Sequence, residues 1–221
     1  MTKIKICGIK SYEDIKWINK YLPDYIGFVF ADSSRKISLS KAIEISKKID
    51  KRIKKVGVFV NEEIDLVNKY ARECKLDIVQ LHGNEDQKYI KKIEYPIWKA
   101  TRIKKIDDIT IRKRKYISGE LIDYYSINQY GGSGEKIILD GIVKKEGKPF
   151  IILAGGLNSL NIKEAIKYVN PNVVDVSSGV ETNMKKCTNK IEKFIFKEVD
   201  LVIARNAKEA TSKPINLKIG K

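Results

Sequence analysis

Apolar runs of strand length recur along the chain and alternate with stretches whose apolar residues fall at helical spacing. The clearest unit covers residues 149–181, where PFIILAGG is followed by an amphipathic stretch and then by VVDVSSG. In that middle stretch Ile162, Ala165, Ile166 and Val169 fall at i, i+3, i+4 and i+7, which predicts a helix with one inward stripe. The unit is therefore predicted as strand, helix, strand.

The same alternation extends back to the N-terminus. Apolar runs predict six earlier strands, at residues 3–9, 25–30, 55–60, 78–81, 97–103 and 120–124. Buried strands that alternate with helices favour a parallel sheet, and eight of them favour closure. The sequence therefore predicts an α/β fold, a single-domain (βα)8 TIM barrel over residues 1–199, with a C-terminal extension of uncertain structure at 200–221.

The helices between these strands are predicted from their inward apolar stripes and from capping residues. Ser40 and Asn61 are the expected N-caps of the second and third helices. A short helix is expected at 87–93 and another near 190–197. Helices are also expected within 104–116 and in the segment before Gly147, although both segments are only weakly periodic. The stripes are Ile15, Ile18 and Leu22; Ala42, Ile45 and Ile49; Ile64, Val67, Ala71 and Cys74; and Ile191, Phe194 and Ile195.

Charge and cysteine content narrow the class of protein. Lys and Arg outnumber Asp and Glu by 44 to 28, a formal net charge of +16, which raises the question of a nucleic-acid partner. The lysines are scattered along predicted helices, so we interpret them as a solvated surface that attracts an anionic substrate. No apolar run approaches the roughly 18 residues of a membrane span. Three widely spaced cysteines without a CxxC pair predict neither a disulfide framework nor a zinc site, and favour the cytoplasm.

Chemistry in such a barrel is expected at the carboxyl ends of the strands, and phosphate on the loops after strands seven and eight. No spacing of His, Cys and acidic residues suggests a metal site, and no dinucleotide fingerprint follows a strand. The residue types at these strand ends favour proton transfer on an anionic phosphorylated substrate. The residues at these ends are Cys7, Arg35, Gln80, His82, Arg102, Asp123, the 131–134 loop, Gly155, Gly156, Asp175 and Ser177 to Gly179.

Seven motifs in register carry a resemblance to a known family. They are KICGIK at 5–10, GFVFADSSRK at 27–36, VGVFV at 56–60, VQLHGNE at 79–85, LID at 121–123 with YGGSG at 130–134, ILAGGLN at 152–158 and VDVSSGVE at 174–181. From about residue 3 to 196 the chain resembles phosphoribosylanthranilate isomerase, the Amadori-type isomerase of tryptophan biosynthesis.

The resemblance implies a cofactor-free isomerisation with Cys7 as general base and Asp123 as general acid. Arg35 would bind the anthranilate carboxylate, and Gln80, His82 and Asp175 would line the substrate pocket. A small phosphorylated substrate is the only partner expected, with no nucleic acid and no membrane, in a monomer or homodimer. The implied phosphate-binding residues are Gly132, Gly134, Gly155, Gly156, Ser178 and Gly179.

Other interpretations of the same residues stay open at this point. Cys7 could be a buried packing residue, Asp123 a turn residue, His82 a structural hydrogen-bonding group and Arg35 a solvated charge. The chain could be a different sugar-phosphate isomerase, an indole-forming barrel, or a barrel that binds nucleic acid without catalysis. It also departs from the family, with Glu135 and Ile137-Ile138-Leu139 where a Lys and Phe-Asp-Trp are common, and TNMKKCTN in the eighth loop.

Overall fold

Eight parallel strands close into a barrel in a computed structural model that describes residues 2–103, 110–124 and 144–196. Around the barrel each strand pairs with its neighbours in the chain, and β8 pairs with β1. This closure confirms the predicted (βα)8 barrel. The strands are β1 Lys3–Cys7, β2 Tyr25–Val29, β3 Lys54–Phe59, β4 Ile78–Leu81, β5 Ile97–Ile103, β6 Gly119–Tyr124, β7 Ile151–Ala154 and β8 Val173–Val176.

Helices follow most of the strands and pack outside the barrel. The first is fixed by a capping box, because Ser11 Oγ accepts the Asp14 N–H at 3.1 Å while Asp14 Oδ2 accepts the Ser11 N–H at 2.9 Å. A 3-10 helix, Ser178–Val180, follows β8, and a further helix covers 188–196. The others are α1 Tyr12–Tyr21, α2 Leu39–Ser46, α3 Ile64–Glu73, α4 Gln87–Ile90 and α5 Ile162–Val169.

The alternation of side chains along each strand separates two apolar layers. Residues such as Ile6, Ile26 and Phe28 pack outward against the helices. A second cluster, which includes Tyr25 and Trp98, fills the barrel interior. Near the carboxyl ends of the strands, the inward-facing side chains become polar. Gln80 follows the inward Ile78 by two residues, and in the same way Asp123 follows Leu121 and Asp175 follows Val173.

Three predicted details of the first helices are wrong. Ser38, not Ser40, caps α2, since Ser38 Oγ accepts the Lys41 N–H at 3.3 Å. Asn61 does not cap α3; the N-cap is Glu63, and Asn61, at φ +49°, accepts the Asn84 N–H at 2.7 Å instead. Leu22 leaves the inward stripe because it ends α1 in the left-handed conformation and is 36% exposed. The α3 stripe itself is confirmed, and Cys74 is fully buried.

Two weakly periodic segments contain strand where helix was predicted. Thr110–Arg112 pairs in parallel with Lys144–Glu146 as a small sheet outside the barrel. The β-branched pair Thr110-Ile111 suits a strand, and burial of Ile111 anchors it. Residues 104–109 and 125–143 of these segments, and the predicted extension at 200–221, lie outside the described residues.

Two other elements, one strand and one helix, are shorter than predicted. β1 ends at Cys7 because Gly8, at φ +84°, turns the chain away from the barrel. The fourth helix stops at Ile90 instead of residue 93. In the described part of the chain, no helix has the length and apolar character needed to cross a membrane.

Candidate active site

The carboxyl ends of the parallel strands meet at one rim of the barrel, and most of the predicted site residues lie there. Cys7 ends β1, Asp123 precedes the last residue of β6, and Asp175 precedes the last residue of β8. In the barrel order, β8 and β7 lie between β1 and β6. The thiol and the carboxyl therefore share one rim, separated by the two loops that were predicted to bind phosphate.

A chain of hydrogen bonds links β4 to β6 across this rim. Gln80 Nε2 lies 3.2 Å from His82 Nδ1, and His82 Nε2 lies 3.0 Å from Asp123 Oδ2. Gln80 is buried, whereas the His82 and Asp123 side chains are 16% and 25% exposed. The imidazole thus holds one oxygen of Asp123 and leaves part of the carboxyl open to the barrel mouth.

Cys7 stands above a buried ion pair. Lys5 Nζ lies 2.6 Å from Asp175 Oδ2, and the Lys5 side chain has no exposed surface. Burial acts to lower the pKa of Lys5, but Asp175 and the neighbouring Cys7 outweigh it and raise the pKa above its ordinary value. Burial raises the pKa of the Cys7 thiol, and Lys5 opposes that rise. Lys5 therefore stays charged in the barrel interior directly beside the thiol.

The Arg35 guanidinium is held by a carboxylate of the β8 loop. Its Nε and Nη2 donate to the two oxygens of Glu181 at 2.9 and 2.6 Å. Glu181 also accepts from Lys186 Nζ at 2.7 Å. Burial acts to raise the pKa of Glu181, but the bonds from Arg35 and Lys186 outweigh it and lower the pKa. Arg35 therefore reaches the rim with its Nε and Nη2 edge paired to Glu181.

Glycines let the loops of β7 and β8 pack backbone against backbone. Gly155 has φ +93°, and a Cβ there would lie 2.0 Å from the Tyr124 carbonyl oxygen. A Cβ on Gly179 would lie 1.9 Å from the Leu157 carbonyl oxygen. Only glycine fits these approaches. Gly156 follows with φ +60°, and Ser178 opens the 3-10 helix, so the predicted phosphate-binding residues of both loops form one continuous surface.

Sequence reasoning missed three charged residues of the site and reached two that the structure does not describe. Gly132 and Gly134 lie outside the described residues, as do the departures at 135 and 137–139. Lys5 was passed over although it is a lysine within an apolar run, two residues before Cys7 and so on the same face of β1. The remaining two are Glu181 and Lys186. The local sequence does not indicate that Glu181 pairs with both Lys186 and Arg35.

Other features of the barrel lie away from this rim. A cavity of about 280 Å³ borders Gly119 and Phe150, at the amino ends of β6 and β7. Its Arg114 is paired with Glu120, so the guanidinium is not free for an anion. Among residues 2–103, 110–124 and 144–196, no group of three His, Cys, Asp or Glu is arranged to hold a metal ion. The rim offers a thiol, a carboxyl, an imidazole and a glycine-lined loop surface, which are the groups that proton transfer on a sugar phosphate requires.

Comparison with known proteins gives a consistent result. Residues 4–197 match the family model described as N-(5'-phosphoribosyl)anthranilate (PRA) isomerase. The N-(5'-phosphoribosyl)anthranilate isomerase of Clostridium acetobutylicum is 45% identical over 200 residues, covering 89% of this chain and 98% of that protein. The crystal structure of phosphoribosyl anthranilate isomerase from Thermotoga maritima matches with a TM-score of 0.75 at 30% identity, covering 90% of this chain and all of that one.

A further solved structure is a phosphoribosyl anthranilate isomerase in complex with reduced 1-(o-carboxyphenylamino)-1-deoxyribulose 5-phosphate. It matches with a TM-score of 0.71 at 31% identity, over 90% of this chain and 100% of that one. The match to the family model takes in all eight strands of the barrel apart from Lys3, the first residue of β1. On the fold, the rim and these similarities, the chain belongs to the N-(5'-phosphoribosyl)anthranilate isomerase family.

Proposed function

We propose that this chain converts N-(5'-phosphoribosyl)anthranilate to 1-(2-carboxyphenylamino)-1-deoxyribulose 5-phosphate, a cofactor-free step of tryptophan biosynthesis. The observation that carries the proposal is the sharing of one rim by Cys7 and Asp123, with the glycine loops of β7 and β8 between them. An Amadori rearrangement moves protons and loses no atoms, so two titratable groups flanking the sugar are sufficient.

Asp123 is the proposed general acid and opens the sugar ring. It gives a proton to the ring oxygen as the C1–O bond breaks, and the anthranilate nitrogen lone pair forms an iminium with C1. His82 positions the carboxyl through the 3.0 Å contact at Oδ2. For Asp123 to hold a proton toward Nε2, His82 must carry its own proton on Nδ1, and Gln80 must present its carbonyl oxygen there. Turning the Gln80 amide by half a rotation achieves this, since its O and N positions are interchangeable.

Cys7 is the proposed general base. Its thiolate removes the C2 proton, which the adjacent iminium has made acidic, and the electron pair of the C–H bond forms the enolamine. Cys7 then returns a proton to C1, and the C2 hydroxyl gives its proton to the Asp123 carboxylate as C2 becomes a ketone. Both residues regain their starting states, so atoms and charge balance. The thiol form cannot accept this proton, so the ionisation state of Cys7 governs the step.

The substrate's fixed charges have matching groups around the two reacting residues. The phosphate is proposed to lie on Gly155, Gly156, Ser178 and Gly179, where glycine leaves the backbone uncovered. The open edge of Arg35 is proposed to bind the anthranilate carboxylate.

Two inward polar groups are proposed to contact the sugar. Asp175 Oδ1 and Gln80 Oε1 are buried and have no hydrogen-bond partner within the described part of the chain. Both residues lie on the inward row of their strands, near the rim. A buried polar atom without a partner is costly, and a sugar hydroxyl would satisfy both positions: it can donate to Asp175 Oδ1, and it can accept from the Gln80 Nε2 that takes the place of Oε1 once the amide is turned. The free thiols of all three cysteines support our proposal of a cytoplasmic enzyme.

A fluorescence assay that follows consumption of N-(5'-phosphoribosyl)anthranilate by the purified chain tests the function. Cys7→Ala and Asp123→Asn should each lower kcat by at least about a hundredfold, while the circular dichroism spectrum and phosphate binding stay unchanged. Turnover that survives in either variant removes that residue from the mechanism. No turnover by the wild-type chain, together with salt-dependent RNA binding, would favour the nucleic-acid-binding alternative.

A further inference from the structure

The surroundings of Cys7 contain more buried charge than a packing role for the thiol requires. Lys5 lies two residues before Cys7 on the same inward face of β1, close enough for its ammonium to interact with the charge of the thiolate. Asp175 on β8 lies in register with Lys5, and its Oδ2 accepts a hydrogen bond from Lys5 Nζ at 2.6 Å. The first cation beside Cys7 is therefore fixed by strand pairing.

A second ammonium approaches Cys7 from the β8 loop. Lys186 belongs to a hairpin formed by Glu181–Thr182 and Lys185–Lys186, and its side chain is 2% exposed. Its Nζ donates to Glu181 Oε1 at 2.7 Å and to the Ser177 carbonyl oxygen at 3.2 Å. Ser177 Oγ in turn donates to the Cys7 carbonyl oxygen at 3.0 Å. The hairpin is thus docked on the end of β1, with its ammonium close enough to act on the thiol.

The charged side chains around Cys7 do not cancel one another while Cys7 is a thiol. Lys5, Lys186 and Arg35 carry three positive charges, and Asp175 and Glu181 carry two negative charges, which leaves an excess of one positive charge. Ionisation of Cys7 removes the excess. An unbalanced charge in a water-poor interior is costly, so this excess favours a thiolate and works against burial, which keeps the pKa of Cys7 above its ordinary value.

We propose that Lys5 and Lys186 are positioning residues that favour the thiolate of Cys7, the form in which it can accept a proton. The inference rests on the proposed role of Cys7 as the base. Burial alone raises the pKa of the Cys7 thiol, Asp175 raises it further, and the two ammonium groups lower it. On the other side β2 packs against Cys7 through Gly27, which brings no charge. The two lysines, together with Arg35 in the loop after β2, are therefore the groups that oppose burial.

The ionisation of Cys7 can be measured without turnover. The wild-type chain is alkylated with iodoacetamide across a range of pH, and the modified Cys7 peptide is quantified by mass spectrometry, which separates it from Cys74 and Cys187. Lys186→Met should lower the Cys7 alkylation rate by about tenfold below its midpoint and move the midpoint to higher pH. Lys186→Arg should restore the wild-type profile, and Lys185→Met, which removes an exposed charge from the same hairpin, should leave it unchanged.

A second variant, expected to move the midpoint of Cys7 alkylation in the opposite direction, separates the effect of charge from that of misfolding. Asp175→Asn removes a negative charge near Cys7 at almost constant shape, so the midpoint should move to lower pH. General loosening of the barrel would shift the alkylation midpoints of both variants in the same direction. Profiles of Lys186→Met and Asp175→Asn that match the wild type, or that move together, would overturn the proposal; if Lys186→Met does not fold, the Asp175→Asn profile alone decides.

The same measurement separates this inference from the proposed function. Opposite shifts in the two variants, combined with full turnover by Cys7→Ala, would support the action of the lysines on the thiol and refute Cys7 as the base. Unchanged profiles combined with loss of turnover in Cys7→Ala would keep the base and refute the role of the lysines.

Discussion

His82 Nε2 lies 3.0 Å from Asp123 Oδ2, so the imidazole that follows β4 is bonded directly to the carboxyl at the end of β6. Gln80 contacts the other ring nitrogen at 3.2 Å. Two proton arrangements fit these positions, and they differ in which nitrogen of His82 carries hydrogen. Only one of them places the Asp123 proton on Oδ2, in the hydrogen bond to His82.

We expect His82 to be the Nδ1–H tautomer in the active protein. In that form Nε2 accepts from the Asp123 carboxyl, and the Gln80 carbonyl oxygen accepts from Nδ1. The chain contains one histidine, so nitrogen NMR of the imidazole needs no assignment. An Nε2–H tautomer in the wild-type chain at the pH of maximal activity would contradict a proton held on Oδ2, because that oxygen would then accept from the imidazole and the proton of the acid would lie on Oδ1.

Arg35→Lys should raise the KM for N-(5'-phosphoribosyl)anthranilate by about tenfold or more, since a lysine cannot hold Glu181 and a substrate carboxylate with one planar fork. Steady-state kinetics by the fluorescence assay measures the effect. Arg52→Lys is a matched control, because Arg52 makes the same two-pronged contact with Asp50, at 2.9 and 2.8 Å, but is exposed and lies before β3. Equal KM values for Arg35→Lys and the wild type would remove Arg35 from substrate binding.

Much of the rim could be predicted because strand ends carry local signals. A run such as IVQL followed by His82 and Gly83 indicates both the strand and the point where it ends, and parallel pairing then brings all such points to one rim. Cys7, Asp123 and the glycine loops were found in this way. Their chemical partners were not, because Lys5 with Asp175 and Arg35 with Glu181 are 170 and 146 residues apart in the chain.

The errors in the fold have equally local causes. Ser38 and Ser40 are both acceptable caps, and the geometry of the preceding loop selects the first. At 110–112 a helix was expected from the alternation of the barrel, but three residues with a single buried anchor, Ile111, pair with Lys144–Glu146 instead. Short segments such as this one are decided by tertiary pairing, which periodicity does not report.

Gly179→Ala should weaken binding of the phosphorylated substrate. The added Cβ would lie 1.9 Å from the Leu157 carbonyl oxygen, so the β8 loop must move away from the β7 loop. We expect KM to rise and affinity for inorganic phosphate, measured by calorimetry, to fall by about tenfold or more. Ser178→Ala is the control, since it removes a hydroxyl and keeps the backbone; a larger loss in Ser178→Ala than in Gly179→Ala would indicate that side chains, not the loop backbone, bind the phosphate.

The loop that carries His82 is held by a buried carboxylate, which gives the barrel an acid-sensitive contact. Glu85 accepts from the N–H groups of Asn61 at 2.8 Å and Gly83 at 3.0 Å, and from Lys99 Nζ at 3.0 Å, with 1% of its side chain exposed. Burial acts to raise the pKa of Glu85, but these donors outweigh it and lower the pKa below its ordinary value of 4.5. Because the folded-state pKa is the lower one, the stabilisation by Glu85 is complete above the ordinary value and is lost as pH falls through the folded value.

Glu85→Gln should therefore lower the free energy of unfolding near neutrality by about 3 kcal/mol, since it leaves Lys99 buried beside a neutral amide. The difference from the wild type should shrink as the pH falls below 4.5, because the wild-type carboxylate then becomes neutral as well. Urea unfolding of both proteins over this pH range measures the convergence. Glu164→Gln, on the exposed face of α5, should keep the wild-type pH dependence. A Glu85→Gln curve that runs parallel to the wild type at every pH would show that Glu85 stabilises the loop by shape and not by charge.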